Sequence, residues 1–200
     1  MNGIGIDIKD FWRNPYPDLI DKQHPFEWYK PEFYARLTRQ AYLIVDELEK
    51  ILPKDASILE LGCGAGRNLD ALKKAGFNNL AGIEINKNAL ELGRNTFDLS
   101  GIKLTCSAIE DAHIPEVDCI YTHGVYMHLP PESEGVFETI ANKAMLFILT
   151  VENESINGRL QWPRNYEKVF GAFGWRQLHS YSTENWPPNS RFNILRLFAK

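Results

Sequence analysis

Short apolar runs alternate with segments of helical periodicity from position 56 to the C-terminus. This alternation is typical of βαβ units, which build a parallel sheet covered by helices on both faces. Glycine and asparagine fall at the predicted joins, at Gly76, Gly101 and Asn78–Asn79. The predicted strands cover residues 57–61, 80–85, 102–106, 117–122 and 145–151, and the predicted helices cover residues 66–75, 87–97 and 132–143.

The pattern changes near the C-terminus. A further helix is predicted over residues 165–173, ended by Gly174. Two strands, 175–182 and 191–199, then follow each other across a short polar turn. Consecutive strands joined by a short turn pair antiparallel, so we expect one antiparallel hairpin beside the parallel sheet.

The N-terminal part lacks this alternation. Residues 1–25 are rich in proline, aspartate and aromatic residues and show no clear period. A helix is predicted over residues 31–52, because Pro31 suits an opening turn and apolar residues recur at spacings of three and four.

The most informative segment follows the first predicted strand. Residues 58–67 read ILELGCGAGR, with glycines at the alternate positions 62, 64 and 66. Glycine permits positive φ and close approach of a ligand to the main chain. A dinucleotide-binding G-x-G-x-x-G loop would place its third glycine at position 67, which here is Arg67.

The segment Glu60–Gly66 resembles the first motif of the class I S-adenosylmethionine (SAM)-dependent methyltransferases, and further family-like segments follow in order over about three quarters of the chain. The resemblance implies an α/β fold: a Rossmann-like, seven-stranded, mostly parallel sheet with a C-terminal antiparallel hairpin and helices on both faces. We expect a single domain over residues 1–200, with an N-terminal helical lid in residues 1–55 and the Rossmann-like core in residues 56–200.

The resemblance also implies a cofactor site for SAM at the carboxyl ends of the strands. Glu84 lies eighteen residues beyond Gly66 (84 − 66), close to the offset at which an acid binds a ribose. Ser107 stands where the family often carries an aspartate that contacts adenine. The expected cofactor-binding residues are Glu60, Gly62, Cys63, Gly64, Gly66, Glu84, Ile85, Ser107, Ala108, Ile109, Thr122 and His123.

The segment Thr122–Val125, followed by His128, partially resembles a small subgroup of bacterial methylases linked to pseudaminic acid biosynthesis. His123 is the candidate catalytic base, since imidazole titrates near neutrality. The alternative is a strand-end residue that contacts the cofactor through its backbone. For His128 we expect a structural role, a hydrogen bond that holds the loop. No third ligand lies near these histidines, so no metal site is predicted.

Other residues are candidates for the acceptor side of the site. In related enzymes the segment before the first motif often folds over the cofactor, and Tyr16, Trp28 and Tyr29 are the lid candidates here. Trp162 and Arg164, on the long connection after the fifth predicted strand, are the other expected acceptor contacts.

The composition limits the kinds of partner that we expect the protein to bind. The 22 basic and 26 acidic residues give a net charge of −4 without a basic run, which argues against an extended nucleic-acid surface. No apolar stretch has the length of a membrane span, and no signal peptide is recognisable. The three cysteines fall on predicted core segments, so we expect buried, reduced thiols and a cytoplasmic protein.

The sequence therefore favours a SAM-dependent methyltransferase acting on a small-molecule acceptor at O or N. Two alternatives remain open at this point: a nicotinamide-dependent oxidoreductase, and a non-catalytic scaffold that keeps the fold and binds the cofactor.

Overall fold

One seven-stranded sheet forms the centre of the computed structural model, which describes residues 7–16, 30–155, 160–183 and 193–200. In chain order the strands are β1 (Ser57–Leu61), β2 (Asn79–Glu84), β3 (Lys103–Cys106), β4 (Val117–His123), β5 (Ala144–Asn153), β6 (Arg176–Ser182) and β7 (Asn193–Ala199). Their order across the sheet is β3-β2-β1-β4-β5-β7-β6. Strands β1 to β5 pair parallel, and β7 pairs antiparallel with both β5 and β6. The predicted mostly parallel sheet with one antiparallel hairpin is confirmed.

Seven α-helices lie in the described part of the chain: α1 (Ile8–Arg13), α2 (Pro31–Arg36), α3 (Thr38–Glu49), α4 (Arg67–Lys74), α5 (Lys87–Thr96), α6 (Gly135–Lys143) and α7 (Tyr166–Gly171). The helix predicted over residues 31–52 is two helices, because Leu37 departs from helical geometry (φ −82°, ψ 43°). Helix α1 had no periodic signal in the sequence. It is capped by the Asp7 side chain, which accepts a hydrogen bond from the Lys9 N–H at 2.8 Å.

The central strands are buried on both faces. Neighbouring residues on a strand point to opposite sides of the sheet, so Ile58 and Leu59 enter different apolar clusters. One cluster joins the sheet to α3 and α4, and the other joins it to α6 and α7. This double burial explains why the sequence pattern of β1 and β4 is nearly continuous in apolar residues rather than alternating.

The cysteines do not all lie in the core. All three are free thiols, and Cys63 and Cys119 are buried, but Cys106 is exposed. The expectation that Cys106 is buried was wrong, because β3 is the outermost strand on its side of the sheet and Cys106 lies at its end.

Candidate functional site

A tight turn after β1 brings bare backbone to the carboxyl edge of the sheet. The N–H groups of Gly62 and Cys63 both donate to the Ile83 carbonyl, at 2.8 and 3.0 Å, which ties the turn to β2. Gly62, Gly64 and Gly66 all have positive φ. A Cβ at Gly62 would strike Val125, but a Cβ at Gly64 would have nothing within 4 Å. Gly64 therefore presents unobstructed main chain to the cleft in front of it.

Glu84, at the end of β2, holds this turn. Its carboxylate accepts hydrogen bonds from the N–H groups of Gly64 and Asn86, each at 2.8 Å. Burial raises the pKa of Glu84, while these backbone donors lower it. Asn86 in turn caps α5 by accepting from the Ala89 N–H at 3.2 Å. One acid therefore fixes both the glycine turn and the start of the next helix.

Glu60 lies beneath the turn and is almost completely buried, at 1% exposed. Its Oε1 accepts a hydrogen bond from Asn68 Nδ2 at 2.6 Å. Its Oε2 and the Tyr121 hydroxyl make no hydrogen bond of good geometry, although the hydroxyl is close enough to lower the pKa of the carboxyl. Burial outweighs these contacts and raises the pKa of Glu60 to about 8. The cleft thus contains a buried acid with one oxygen still able to accept.

The end of β4 and the loop after it supply two histidines. Burial lowers the pKa of His123 to about 3 and that of His128 to about 4, so both rings are neutral at physiological pH. His128 Nδ1 lies 2.7 Å from the Leu160 carbonyl oxygen. Because a carbonyl only accepts, Nδ1 carries the proton and Nε2 keeps its lone pair. The predicted loop-holding hydrogen bond of His128 is present.

The residues predicted to bind the cofactor largely share one cleft. It is lined by ten of them: Glu60, Gly62, Cys63, Gly64, Glu84, Ile85, Ser107, Ala108, Ile109 and His123. Gly66 does not line the cleft but forms the turn before α4, with φ 78°. Thr122 does not line it either, because its side chain is fully buried in the sheet. The order of the strands thus places ten of these twelve residues together.

The third strand end closes one side of the cleft. The Ser107 N–H donates to the Glu84 carbonyl at 3.0 Å, and the Ser107 hydroxyl donates to the Ala108 carbonyl at 3.0 Å. Ile85 and Ile109 add apolar surface here. This wall suits a flat, partly apolar group.

Helix α1 lines a further part of the cleft. Ile8, Lys9 and Trp12 line the cleft, as do Pro15 and Pro31 from the chain on either side of residues 17–29.

Two contacts hold α1 at the cleft. Lys9 Nζ binds the Asp111 carboxylate at 3.0 Å, and the Trp12 ring lies 4.5 Å from the His128 ring. Among the predicted lid aromatics, Tyr16 packs on Phe11 and does not line the cleft, whereas Trp28 and Tyr29 lie outside the described residues.

Several lining residues were missed by sequence reasoning. Asn68 has a recognisable signal, since it lies in the first helical turn directly after the glycines, and Asn86 has the signal of a helix cap. Trp12 has none, since its position depends on how α1 docks. Trp162 and Arg164, the expected acceptor contacts, do not line the cleft. Arg164 instead binds Glu134 at 2.6 Å.

Two further features concern possible partners. In the described ranges, no group of three or more His, Cys, Asp or Glu side chains could hold a metal ion. No helix in the described part of the chain is both long enough and apolar enough to cross a bilayer.

Comparison with known proteins agrees with the geometry. A family model described as a methyltransferase domain matches residues 58–143. The chain is 37% identical over 118 residues to EEF1A lysine methyltransferase 2 of Danio rerio, covering 56% of this chain and 48% of the relative. It is 32% identical over 78 residues to a ribosomal protein methyltransferase of Paraburkholderia phymatum, covering 39% of this chain and 26% of the relative. The chain thus spans about half or less of the curated relatives it matches.

The fold matches as well. The structure of magnesium protoporphyrin IX methyltransferase from Synechocystis PCC 6803, with bound S-adenosylhomocysteine, superposes with a TM-score of 0.71 at 16% identity, covering 96% of this chain and 98% of that one. The sheet closed by an antiparallel hairpin is that of the Rossmann-like methyltransferase fold, and residues 58–143, which include the glycine turn and its two buried acids, match a methyltransferase domain.

Proposed function

We propose that this protein transfers the methyl group of SAM to a small-molecule acceptor, at an oxygen or a nitrogen atom. The observation that carries the proposal is the open main chain at Gly64, which lies in the cleft between the carboxylates of Glu60 and Glu84. SAM offers a ribose, two cationic groups, a carboxylate and a flat base, and the cleft has a partner for each.

Residues of the cleft could bind each part of SAM. The Glu84 carboxylate would accept hydrogen bonds from the ribose hydroxyls in a charge-assisted pair. The unpartnered oxygen of Glu60 would stabilise the positive groups. Gly66, the N-cap of α4, has no side chain with which to cap the helix, and the helix N-terminus would attract the donor carboxylate. Ile85 and Ile109 would pack against the adenine.

When bound, SAM supplies an electrophilic methyl carbon on a sulfonium, which is a good leaving group. The chain's own residues then have to hold the acceptor in line and accept a proton if the attacking atom carries one. His123, at the tip of β4, is our candidate for this role. His123 lines the cleft, and its Nδ1 is buried without a hydrogen-bond partner in the described part of the chain, so Nε2 is the nitrogen that would meet an acceptor.

The low pKa of His123 limits what it can do. An imidazole with a pKa of about 3 cannot deprotonate an ammonium before the reaction. It can accept a hydrogen bond from a hydroxyl and take the proton as the new bond forms, when that proton becomes strongly acidic. Within the proposal, a hydroxyl acceptor therefore fits His123 better than a protonated amine does.

The acceptor side supports a small molecule. Ile8, Trp12 and Pro15 line the cleft from α1 and the residues after it, and Pro130 lines it from the loop after β4, so much of the lining is apolar. A small, partly apolar acceptor would suit this surface.

The test is transfer from methyl-labelled SAM into a cell extract that is separated afterwards into low-molecular-weight and protein fractions. We expect label in the small molecules, and we expect His123→Ala to lose most transfer while still binding S-adenosylhomocysteine in calorimetry. Label in the protein fraction would overturn the small-molecule part of the proposal. Cofactor binding without any transfer would favour the scaffold alternative, and absence of binding would refute the whole proposal.

A further inference from the structure

Glu152, near the end of β5, is a completely buried carboxylate that does not line the cleft. Both of its oxygens lie 3.0 Å from the Val125 nitrogen, and Oε2 also lies 3.3 Å from the Met127 nitrogen. Two backbone N–H groups of the loop that follows β4 therefore donate to this one side chain.

That loop, residues 124–130, lines the cleft next to His123, where we expect the acceptor to bind. Its lining residues are Gly124, Val125, His128, Leu129 and Pro130. A shift of this loop would therefore displace His128 and the apolar surface beside His123 relative to the donor site.

The loop is also held from its outer side, by residues 160–164. The Trp162 N–H donates to the Met127 carbonyl at 2.6 Å, and His128 Nδ1 donates to the Leu160 carbonyl at 2.7 Å. Arg164 Nη1 donates to the Tyr126 carbonyl at 3.3 Å. Glu152 completes this arrangement from the side of the sheet, so the loop is fixed between two supports.

A carboxylate at this buried position would be energetically unfavourable if it served only to fill space. Burying an ionised acid carries a large desolvation penalty, and an apolar residue of similar volume would fill the space without it. An apolar residue would, however, leave the N–H groups of Val125 and Met127 without an acceptor. The carboxylate therefore stabilises the backbone geometry of the loop.

We propose that Glu152 is a positioning residue, which fixes the backbone of residues 125–127 and thereby positions His128 and the loop surface beside His123 for the acceptor. The structural part of this inference stands on its own contacts, and its consequence for turnover rests on the proposed function.

The hydrogen bonds between Glu152 and the loop should depend on pH, because the surroundings of Glu152 change the pKa of its carboxyl group. It is faced by Thr122 from β4, by Tyr126 from the loop and by Tyr166 from α7, while Arg164 and Glu154 act on the neighbouring Tyr166. Burial is the largest influence and raises the pKa of Glu152 to about 7. The ionised carboxylate accepts hydrogen bonds more strongly than the protonated form. The hydrogen bonds from Val125 and Met127 to Glu152 should therefore strengthen as the pH rises through about 7.

The test is amide hydrogen exchange, resolved by NMR at Val125 and Met127. Gly124 is the internal reference, because its N–H donates to the Val151 carbonyl rather than to Glu152. We expect Glu152→Ala to speed exchange at Val125 and Met127 by about tenfold or more relative to Gly124. Glu152→Gln, which keeps one acceptor oxygen, should restore part of the protection. It should also abolish the change in protection between pH 6 and pH 8, after correction for intrinsic exchange rates.

Glu154→Gln is the matched control. It removes a buried carboxylate just beyond β5, where Glu154 binds Arg196 at 2.6 and 2.9 Å, without touching the loop. We expect it to lower stability and leave the relative exchange at Val125 and Met127 unchanged. Exchange that is unaltered in Glu152→Ala, or raised equally at Gly124 and in Glu154→Gln, would overturn the inference.

A functional measurement separates this inference from the proposed function. In Glu152→Ala we expect transfer from labelled SAM into the same extract to fall about tenfold or more, while the dissociation constant of S-adenosylhomocysteine changes less than about threefold. Equal losses of binding and transfer would contradict a role at the acceptor end. A wild-type protein that binds no S-adenosylhomocysteine would refute the proposed function and leave the exchange result intact.

Discussion

Replacement of Glu60 by glutamine tests whether the buried acid beneath the glycine turn responds to the charge of the donor. Glu60 is 1% exposed, has one oxygen bonded to Asn68 and has a pKa raised by burial to about 8. A group with this pKa is about 90% protonated at pH 7. The free protein therefore holds Glu60 mainly as a neutral acid at that pH.

Binding of SAM should ionise this acid. The donor carries a net positive charge, which favours the carboxylate and lowers its pKa. If the complex holds Glu60 fully ionised, binding at pH 7 releases up to about 0.9 proton from this site, and binding at pH 9 releases about 0.1. S-adenosylhomocysteine lacks the sulfonium charge and should release fewer protons than SAM.

The assay is calorimetry at pH 7 in buffers with different ionisation enthalpies, which counts the protons released. Glu60→Gln should release fewer protons than the wild type by up to about 0.9 with SAM. Burial also raises the pKa of Glu84, and Glu84 acts electrostatically on Glu60, so the difference reports Glu60 together with its coupling to Glu84. Equal proton release by wild type and variant would refute the reasoning.

The same carboxyl sets a stability trend in the free protein. Its folded pKa lies above the value of 4.5 for an unperturbed glutamate, so the folded state keeps a proton that the unfolded state loses. Its contribution to stability is therefore present below about pH 4.5 and falls as the pH rises toward 8. Glu60→Gln should flatten this part of the curve when urea unfolding is measured at several pH values.

Two other substitutions test the cofactor site. Glu84→Ala should weaken binding of S-adenosylhomocysteine by about 1.5–3 kcal/mol, since it removes hydrogen bonds to a charged group, whereas Glu91→Ala on the exposed face of α5 should leave the affinity unchanged in calorimetry. An unaltered affinity in Glu84→Ala would exclude it from the site. Gly93→Ala should lower the free energy of unfolding by about 1–3 kcal/mol, because its Cβ would overlap the carbonyl of Ala65 in the glycine turn. Gly171→Ala is the control, since a Cβ there has nothing within 4 Å, and equal stability of the two variants in urea would contradict this packing argument.

Local signals in the sequence were sufficient for most of the fold. The bounds predicted for β1 are those observed, and the other described strands begin and end within two residues of their predictions. These signals are apolar runs, glycine turns and a short connection between two strands. Each spans only a few residues, so it is recognisable without knowledge of the tertiary contacts.

Predictions failed where distant residues decide the outcome. The helix predicted over residues 31–52 is interrupted at Leu37, although its apolar spacing continues. Cys106 is exposed because β3 has a neighbour on one side only. Helix α1 has no periodic signal, yet Lys9 and Trp12 fix it over the cleft through Asp111 and His128.

The sequence by itself determined the glycine turn, the acid at position 84 and the order of strands and helices, because each depends on backbone conformation and spacing along the chain. Only the tertiary structure decided that Glu60 is buried with an unpartnered oxygen, that Trp12 rather than Tyr16 lines the site, and that Glu152 supports the loop that carries His128. Burial and hydrogen bonding depend on which segments meet across the sheet. Those contacts join residues more than twenty positions apart, so no local pattern in the chain records them.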